Sequence, residues 1–457
     1  MSGLPHRMGM SLLVGAVCLL LSACQAGPAR VTDSGAESGG STGGGGAGQQ
    51  VARADVPRNV ASAANPADLA ALAEGNTAFA FDLYRAVAAQ QDGNFLFSPY
   101  SMSLALAMVY AGARGETEAQ MGQTLHYTLP QDRLHATFNA LDLALTGLTQ
   151  PTPEGGEDEE SGDLRLHIAN AVWGQQGYDF LPAYLDLLAA NYGAGLRLLD
   201  FAAGPDAARQ AINGWVSDQT EERIQDLLPP NSVGPDTRLV LVNAIYFYGA
   251  WADQFDEAST QDDPFTLLDG GQVTVPMMAQ GGLSLPYMAG DGFTAVELPY
   301  GTGQAAMLVI LPDAGRFAEV EAALDAARLA EIRQGLSSAA IGTLKMPRFE
   351  FESTLDLKDL LVGMGLTLPF EDAADFSGIT DPTSLRIDAA VHKANITVDE
   401  NGTEAAAATA VVMVEAAAMI PDQTVDVILD RPFIFAILDR STGTVLFLGR
   451  VLNPAAN

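Results

Sequence analysis

Glu400-Asn401-Gly402-Thr403-Glu404-Ala405-Ala406-Ala407-Ala408-Thr409 is the most informative segment of this 457-residue chain, and it lies about fifty residues before the C-terminus. Glycine takes backbone angles that other residues avoid, and small side chains enter a packed interior without overfilling it. Taken alone, an alanine run favours a helix. With its glycine and its bracketing threonines, the segment instead predicts a loop that can become a strand in a crowded sheet.

The composition indicates a chain that buries a sizeable core beneath an acidic surface. Hydrophobic residues make up 48% of the chain and charged residues only 17%, which suits one large domain or two average ones. Fifty-six acidic and 23 basic residues give a net charge of −33 and a pI of about 4.2. A surface of this sign repels nucleic-acid phosphates, so nucleic acid is not expected as a partner.

Cysteine and histidine are too sparse in the body of the chain to indicate a metal or redox centre. Both cysteines, Cys18 and Cys24, lie near the N-terminus, which leaves no disulfide or thiol chemistry for the folded part. No H-E-x-x-H, Walker or dinucleotide-binding glycine motif occurs in a suitable context. No cofactor and no zinc site are therefore expected, although the body contains four histidines, His126, His135, His167 and His392.

The N-terminus has the pattern of a secretory targeting segment. An apolar run over residues 10–21 follows a short basic stretch, and it is too short for a stable membrane span. It ends in Leu21-Ser22-Ala23-Cys24, which resembles the lipobox of bacterial lipoproteins. This resemblance implies a signal peptide over residues 1–23 and a lipid on Cys24, with Gln25 favouring the outer membrane or cell surface. An ordinary secretory signal with an incidental cysteine is the alternative.

Residues 24–64 are rich in Gly, Ser and Ala, a composition that cannot bury a core and is typical of a flexible tether. Residues 65–457 contain no further linker or internal repeat, which predicts a single domain. The acidic stretch at residues 153–160 indicates a solvated surface loop.

The hydrophobic periodicity of this domain predicts helices first and strands later. Helical patterns cover residues 69–89, 101–110 and 206–228. Strand patterns cover residues 238–247, 305–311, 344–352, 433–438 and 445–451, the last two joined by a hairpin at Thr442-Gly443. The separation of the two kinds of element favours an α+β fold over alternating βαβ units.

Several motifs resemble those of the serpin family, in the same order, from about residue 70 to Pro454. The resemblance rests on the segments at residues 94–101, 112–117, 241–247, 275–278, 311–313, 392–394 and 427–435. It implies a fold of three β-sheets with about nine helices and an exposed reactive loop at about residues 400–425. It also implies suicide inhibition of proteases by a monomeric protein that is not an enzyme, in which the target protease cleaves the loop and is held in a covalent complex.

The opening segment resembles the serpin hinge, from which the cleaved loop inserts into the main sheet; strand insertion of the serpin loop is a known mode of recognition. Alternate side chains of an inserted strand face the core, so Thr403, Ala405, Ala407 and Thr409 form one inward row. The hinge residues implied are Glu400, Gly402, Thr403, Glu404, Ala405, Ala406, Ala407, Ala408 and Thr409.

The resemblance also assigns roles outside the hinge. It implies a polar cluster that hydrogen-bonds across the opening of the sheet and gates insertion, formed by Ser98, Ser101, Asn243 and His392. Trp251 is expected where the hinge enters the sheet. Arg348 is expected to pair with Glu400, with an ordinary surface salt bridge worth under about 1 kcal/mol as the alternative.

In this family the distance from the hinge glycine to the cleaved bond is nearly fixed, which places the bond at Ala416-Ala417. Counting from the C-terminal side leaves Ala417, Ala418 or Met419 as alternative residues before the cut. A small residue suits an elastase-like or subtilisin-like protease rather than a trypsin-like one, and papain-like cysteine proteases stay open as targets.

Two rival functions are weighed against inhibition. A non-inhibitory serpin-fold binding protein typically carries bulky, charged or proline residues where this hinge has small ones. A serine hydrolase using His392 lacks the G-x-S-x-G elbow.

Overall fold

The computed structural model describes residues 50–61, 64–147, 164–380, 385–403 and 424–456. The predicted signal peptide, Cys24 and the acidic loop at residues 153–160 lie outside the described residues. So do Glu404–Thr409 of the hinge and the candidate cleavage residues Ala416, Ala417, Ala418 and Met419.

The described residues contain nine α-helices, six of which precede the fifth strand of the chain. They are α1 (Pro66–Ala88), α2 (Pro99–Tyr110), α3 (Gly115–Thr124), α4 (Gln131–Gly147), α5 (Pro182–Tyr192), α6 (Pro205–Gln219), α7 (Phe317–Ala323), α8 (Ala326–Gly335) and α9 (Leu357–Gly363). Proline at the first helical position and a capping side chain explain where α1 and α2 begin. In α2 the Ser98 hydroxyl accepts a hydrogen bond from the Ser101 amide.

The predicted helix at residues 206–228 is wrong at its C-terminal end, since α6 stops at Gln219. Glu221 and Glu222 have φ values of 52° and 64°, a left-handed conformation that breaks a helix. The apolar pattern continues because the following segment is buried. Asn213 of α6 holds it in place by bonding both the amide and the carbonyl of Leu228.

Seventeen strands form two hydrogen-bonded sheets in the part of the chain that is described. The strands are β1 (Gln50–Ala52), β2 (Phe95–Phe97), β3 (Leu164–Gln175), β4 (Leu196–Leu199), β5 (Leu239–Ala250), β6 (Gln261–Thr266), β7 (Gln272–Gln280), β8 (Leu283–Ala289), β9 (Phe293–Tyr300), β10 (Ala305–Pro312), β11 (Ser337–Pro347), β12 (Phe349–Asp356), β13 (Ala389–Val398), β14 (Gly402–Thr403), β15 (Val425–Ile428), β16 (Phe433–Asp439) and β17 (Val445–Val451).

The seven-stranded sheet, called here the main sheet, has the order β1-β4-β3-β5-β14-β13-β12. The other sheet has ten strands in the order β2-β17-β16-β10-β9-β8-β11-β7-β6, with β15 beside β11. The resemblance implies three sheets. In this structure two of the three expected sheets are joined into the ten-stranded sheet. They are joined because β11 pairs with β8 through its first half and with β7 through its second half.

The predicted single strand at residues 344–352 is two strands in the structure. β11 ends at Pro347 and β12 begins at Phe349, so Arg348 is the break between the two sheets. Its backbone amide still bonds the carbonyl of Pro276 in β7, the neighbour of β11, whereas Phe349 pairs with Val398 of the main sheet. This break places the Arg348 side chain beside the hinge.

The main core lies between the two sheets and surrounds α2, every residue of which is buried. A smaller core lies on the opposite face of the main sheet beneath α6, where Trp173, Ile212 and Val242 pack together. None of the helices in the described ranges has the length and apolarity needed to cross a bilayer.

Residues 50–61, which the sequence assigns to the flexible tether, are packed against the domain. We call them the N-terminal strap. Its first residues form β1, which extends the main sheet by pairing antiparallel with β4. Backbone pairing at a sheet edge does not depend strongly on side chains, and composition therefore did not reveal it.

Candidate functional site: the seam of the main sheet and the hinge

The candidate site is the seam between the two central strands of the main sheet. Residues Val240–Ile245 of β5 pair directly with Ala389–Ala394 of β13 in parallel register. Farther along, the two strands separate and β14 lies between them. Gly402 is opposite Ala250 of β5, and Thr403 is opposite both Gly249 and Val398. The first two residues of the small-residue segment are therefore already part of the sheet.

Gly402 is required here for space rather than for an unusual backbone angle. Its φ is not among the positive values of the chain, so the conformational freedom invoked from the sequence is not used in this state. A Cβ at this position would lie 2.1 Å from the carbonyl oxygen of Gly249, which is far inside contact distance. The absence of a side chain on Gly402 allows the hinge backbone to enter between the strands.

Thr403 faces the core and is only 1% exposed. Its hydroxyl lies 2.6 Å from the hydroxyl of Tyr300, so the polar end of this buried side chain is satisfied. A small side chain with one hydrogen-bonding group suits this position, whereas a longer or charged one would have to displace Tyr300.

Trp251 holds the turn that leads into the hinge. Its indole nitrogen donates to the carbonyl of Asp399 at 3.0 Å, and its backbone amide donates to the carbonyl of Asn401 at 2.8 Å. The indole also stacks on Tyr300, with ring centroids 4.6 Å apart and planes 11° apart. Tyr300 thus contacts both Trp251 and Thr403, and links the turn to the inserted residues.

Glu400 is buried, and its carboxylate is satisfied by two neighbours. Its side chain is 2% exposed and lies 2.6 Å from a terminal guanidinium nitrogen of Arg348. The Nε of Arg348 donates to the same oxygen at 2.8 Å, and the Thr260 hydroxyl is the second neighbour that bonds the carboxylate. Burial raises the pKa of Glu400, but the hydrogen bonds from Arg348 and Thr260 outweigh it and hold the pKa below its usual range. This pair is therefore not an ordinary surface salt bridge.

Asp399 shapes the turn between β13 and the hinge. Its carboxylate accepts from the amides of Asn401 at 2.8 Å and Gly402 at 3.2 Å, which is the geometry of an Asx turn. Burial raises the pKa of Asp399, although these two amide bonds act against the rise.

The four predicted gate residues lie together beneath the seam. Asn243 of β5 and His392 of β13 are opposite each other across it, and His392 Nδ1 bonds the side-chain oxygen of Asn243. The Asn243 amide donates to the Ser101 hydroxyl at 2.6 Å, and the Ser98 amide donates to His392 Nε2 at 3.2 Å. Parting the strands must break the bond between Asn243 and His392.

Asn170 of β3 is a member of this gate cluster that the sequence analysis missed. Its side chain bonds Asn243, and its amide donates to the Ser101 carbonyl at 3.0 Å. The available signal was an asparagine within the mostly apolar segment that ends at Trp173. A buried amide of this kind needs partners.

His392 is fully buried and neutral. Burial lowers its pKa to about 3. Because Nε2 accepts from the Ser98 amide, the ring proton belongs on Nδ1 and is donated to Asn243. A histidine without a carboxylate partner and with both nitrogens occupied holds two strands together, and it is poorly suited to act as a general base.

Acid is expected to weaken the fold through His392. Its folded pKa lies below the ordinary value of 6.5, so the unfolded chain binds a proton that the folded chain does not. The contribution of His392 to the free energy of unfolding is fully present above about pH 6.5. It decreases as the pH drops toward 3, by at most about 1.4 kcal/mol per pH unit. Buried His135, with a pKa lowered to about 4, adds a loss of the same sign.

The check is urea unfolding at pH 7.0 and 4.5. His392→Gln should show a smaller acid-induced drop in the unfolding midpoint than the unchanged chain. Equal drops in the two proteins would contradict the assignment.

The site contains no arrangement suited to metal binding in the described ranges, where no cluster of three or more His, Cys, Asp or Glu side chains converges. The seam and hinge instead act through strand pairing, packing and hydrogen bonds.

The fold and the seam define a class: an α+β protein whose main sheet holds the first hinge residues, Gly402 and Thr403, between its two central strands. A family model described as Serpin (serine protease inhibitor) matches residues 74–454. The chain belongs to the serpin family.

Curated relatives of this chain include named protease inhibitors. The leukocyte elastase inhibitor of Sus scrofa is 37% identical over 391 residues, covering 84% of this chain and 99% of the relative. An uncharacterised serpin-like protein of Thermococcus kodakarensis is 40% identical over 376 residues, covering 82% of this chain and 84% of its own.

Solved structures agree with this assignment. Uncleaved ovalbumin matches with a TM-score of 0.74 and 30% identity, over 84% of this chain and 100% of the ovalbumin chain. Human thyroxine-binding globulin complexed with thyroxine also has a TM-score of 0.74, with 32% identity over 85% of this chain and 100% of its own. The family resemblance and the α+β serpin fold are thereby confirmed. The family is one of protease inhibitors rather than enzymes, so the hydrolase alternative built on His392 is set aside.

Proposed function

We propose that this protein is a suicide inhibitor of serine proteases that acts by cleavage of its loop near Ala416-Ala417 followed by insertion of the loop into the main sheet. The observation that carries the proposal is the position of Thr403, buried between β5 and β13 in antiparallel pairing with both. The residues that follow Thr403 in the chain can enter the sheet between β5 and β13 in the register that Thr403 already has.

The register gives the proposed insertion a definite path. Thr403 lies opposite Gly249 and Val398. Six residues farther along each strand, a continued antiparallel ladder brings Thr409 between Asn243 and His392. These two residues are opposite each other in the present sheet. The Thr409 hydroxyl would then lie between Asn243 and His392, whose direct hydrogen bond must break when the seam opens.

In the first step of the proposed mechanism, the protease supplies the nucleophile and the inhibitor supplies the peptide bond that is cleaved. Its serine hydroxyl attacks the carbonyl carbon of the residue before the cut, the peptide bond breaks, and the amine of the next residue leaves with a proton. The carbonyl stays on the serine as an ester, so the protease is bound to the N-terminal part of the loop. Insertion then draws that ester away from its starting position before water can hydrolyse it.

Elastase-like and subtilisin-like serine proteases are the proposed targets. Alanine before the cut suits a shallow specificity pocket, whereas the acidic pocket of a trypsin-like enzyme would leave its charge unpaired. The names of the leukocyte elastase inhibitors among the relatives are consistent with this choice. Cysteine proteases of the papain type are the alternative class of target.

Incubation with a pancreatic-type elastase is expected to give a covalent complex that survives heat and detergent on a denaturing gel. Mass spectrometry should find a released C-terminal peptide beginning at Ala417, or at a residue up to three positions later. Trypsin at the same molar ratio is the control and should give much less complex, because small residues surround the cut. Clean cleavage by elastase without any complex would instead favour a non-inhibitory serpin-fold binding protein.

We further propose that the protein is secreted and anchored by a lipid on Cys24. The support is the lipobox-like Leu21-Ser22-Ala23-Cys24. Cys24→Ser should move the protein from the membrane fraction to the soluble fraction of cells that export it. Retention of the variant in membranes would contradict lipid anchoring.

A further inference from the structure

The N-terminal strap, residues 50–61, lies ahead of the region that the family model matches, residues 74–454. It contacts three elements in turn. β1 pairs with β4, with Gln50 opposite Leu198 and Ala52 opposite Leu196. The strap thus completes the outer edge of the half of the main sheet formed by β4, β3 and β5.

The second half of the strap bonds to α4 and α5. Arg58 donates to the Asn139 side-chain oxygen at 2.8 Å and to the Asp142 carboxylate at 2.6 Å, both on α4. The Asn139 amide donates in return to the Asn59 carbonyl at 2.7 Å, and the Asn59 amide donates to Ala190 of α5 at 2.9 Å. Asn139 is 0% exposed, so both ends of a fully buried amide are satisfied by the strap.

The link between α5 and β4 provides the space in which the strap lies. A Cβ on Gly195 would lie 2.9 Å from the Ala52 carbonyl oxygen and 2.9 Å from Val51 Cγ1. Gly195 does not have a positive φ, so the backbone conformation does not require glycine there. A Cβ on Gly193 would lie 3.0 Å from the Arg58 side chain. The body of the domain is therefore shaped to receive this segment.

The strap joins parts of the molecule that must separate when the seam opens. Insertion between β5 and β13 requires β5, β3 and β4 to move away from β13 and β12. Helix α4 packs on α1, which packs on β17 of the other sheet. Asp142 of α4 also accepts from the Tyr100 hydroxyl of α2 at 3.3 Å. Through Arg58, the strap connects the moving edge of the main sheet to this helical layer.

We propose that the N-terminal strap restrains the main sheet and so prolongs the state in which the uncleaved loop is exposed. This proposal rests on the proposed inhibitory function, because it concerns insertion of the same loop. The strap opposes separation of the strands until cleavage makes the whole loop available. Without it, the uncleaved loop inserts sooner and the protein loses inhibitory capacity with time.

The test compares the full chain with Arg58→Gln and with Gly195→Val, which displaces the strap without changing its sequence. Arg53→Gln is the matched control, because it removes the same charge from an exposed residue of the strap. Each protein is held at an elevated temperature. Conversion to the inserted state is then followed by the gain of resistance of the loop to a protease and by hydrogen exchange of β5 and β13.

Arg58→Gln and Gly195→Val are each expected to convert about tenfold faster than the full chain, since charged hydrogen bonds and strand pairing are lost. Arg53→Gln should convert at the unchanged rate. If all four proteins convert to the inserted state at the same rate, and the cleaved full chain shows protected amides at the seam, the proposed restraint by the strap is wrong. The proposed inhibitory function is then unaffected. If cleavage of the full chain brings no protection at the seam, insertion itself fails, and this proposal and the proposed function both fall.

Discussion

Thr403→Arg is expected to abolish the covalent complex with elastase while leaving the loop open to cleavage. Thr403 is 1% exposed and bonded to Tyr300, so an arginine there would place an unpaired guanidinium in the core. The cost of about 3 kcal/mol lowers the rate of insertion about 100-fold. Hydrolysis of the ester then wins, and the inhibitor becomes a substrate.

The cost of an arginine at position 403 is smaller than the free energy expected to drive the proposed insertion. Each new ladder hydrogen bond contributes roughly 0.5–1.5 kcal/mol, so a dozen residues contribute on the order of 10 kcal/mol. Because Thr403 is already paired in the uncleaved sheet, a local cost there displaces this residue and removes the paired start of insertion. Insertion is then slower, but its overall direction is not reversed. The measured quantity is the number of elastase molecules trapped per inhibitor molecule cleaved.

Glu404→Arg is the matched control for this prediction. It introduces the same residue one position later, where alternation along an inserted strand predicts a side chain on the opposite, solvent-facing side. Most of the trapping should survive in this variant. If Thr403→Arg trapped elastase as well as the unchanged chain does, insertion beginning at Thr403 would be disproved.

Arg348→Met is expected to destabilise the protein and release the hinge. The substitution leaves the carboxylate of Glu400, 2% exposed, without its main partner. Breaking a fully buried pair costs about 3–5 kcal/mol. Because the Arg348 side chain is 42% exposed, solvent screening reduces the expected cost to about 2 kcal/mol. Thermal unfolding should shift down by several degrees, and the amides of Gly402 and Thr403 should exchange faster.

Removing the stranded charge should restore much of the loss. The double variant Arg348→Met with Glu400→Gln is expected to regain more than half of the lost stability, because a neutral amide is easier to bury. Arg328→Met removes an arginine whose partner Glu331 is 64% exposed, and it should change stability by less than about 0.5 kcal/mol. A full loss that persists in the double variant would show that Arg348 acts through packing and not through Glu400.

The fold followed from motifs whose order along the chain matched one family, and hydrophobic patterns placed most of the elements that they predicted close to their true bounds. β5 was predicted at residues 238–247 and runs from Leu239 to Ala250. The errors came where an apolar pattern continues through a change of backbone direction. Burial of Leu228 preserved the helical pattern beyond the end of α6, and Arg348 interrupts a pattern that looks like one strand.

The site was harder to predict than the fold, because its properties depend on distances between separate parts of the chain. The sequence suggested that Arg348 and Glu400 pair, but not that Glu400 is buried. Asn170 was missed because an amide within an apolar segment does not reveal its partners. The strap was missed because most of its contacts use backbone groups of β1 and Asn59, with few side chains besides Arg58, within a composition typical of disorder.

The pairing of Gly402 and Thr403 within the sheet has a kinetic consequence. Starting a new strand is slow, because the chain loses loop entropy before contacts compensate for it. Here that nucleation is complete before any protease arrives, and the face of every later residue is set, since a slip by one would turn all side chains over. In the proposed mechanism only elongation is left to compete with hydrolysis, so the time available for capture is determined by strand growth rather than by its initiation.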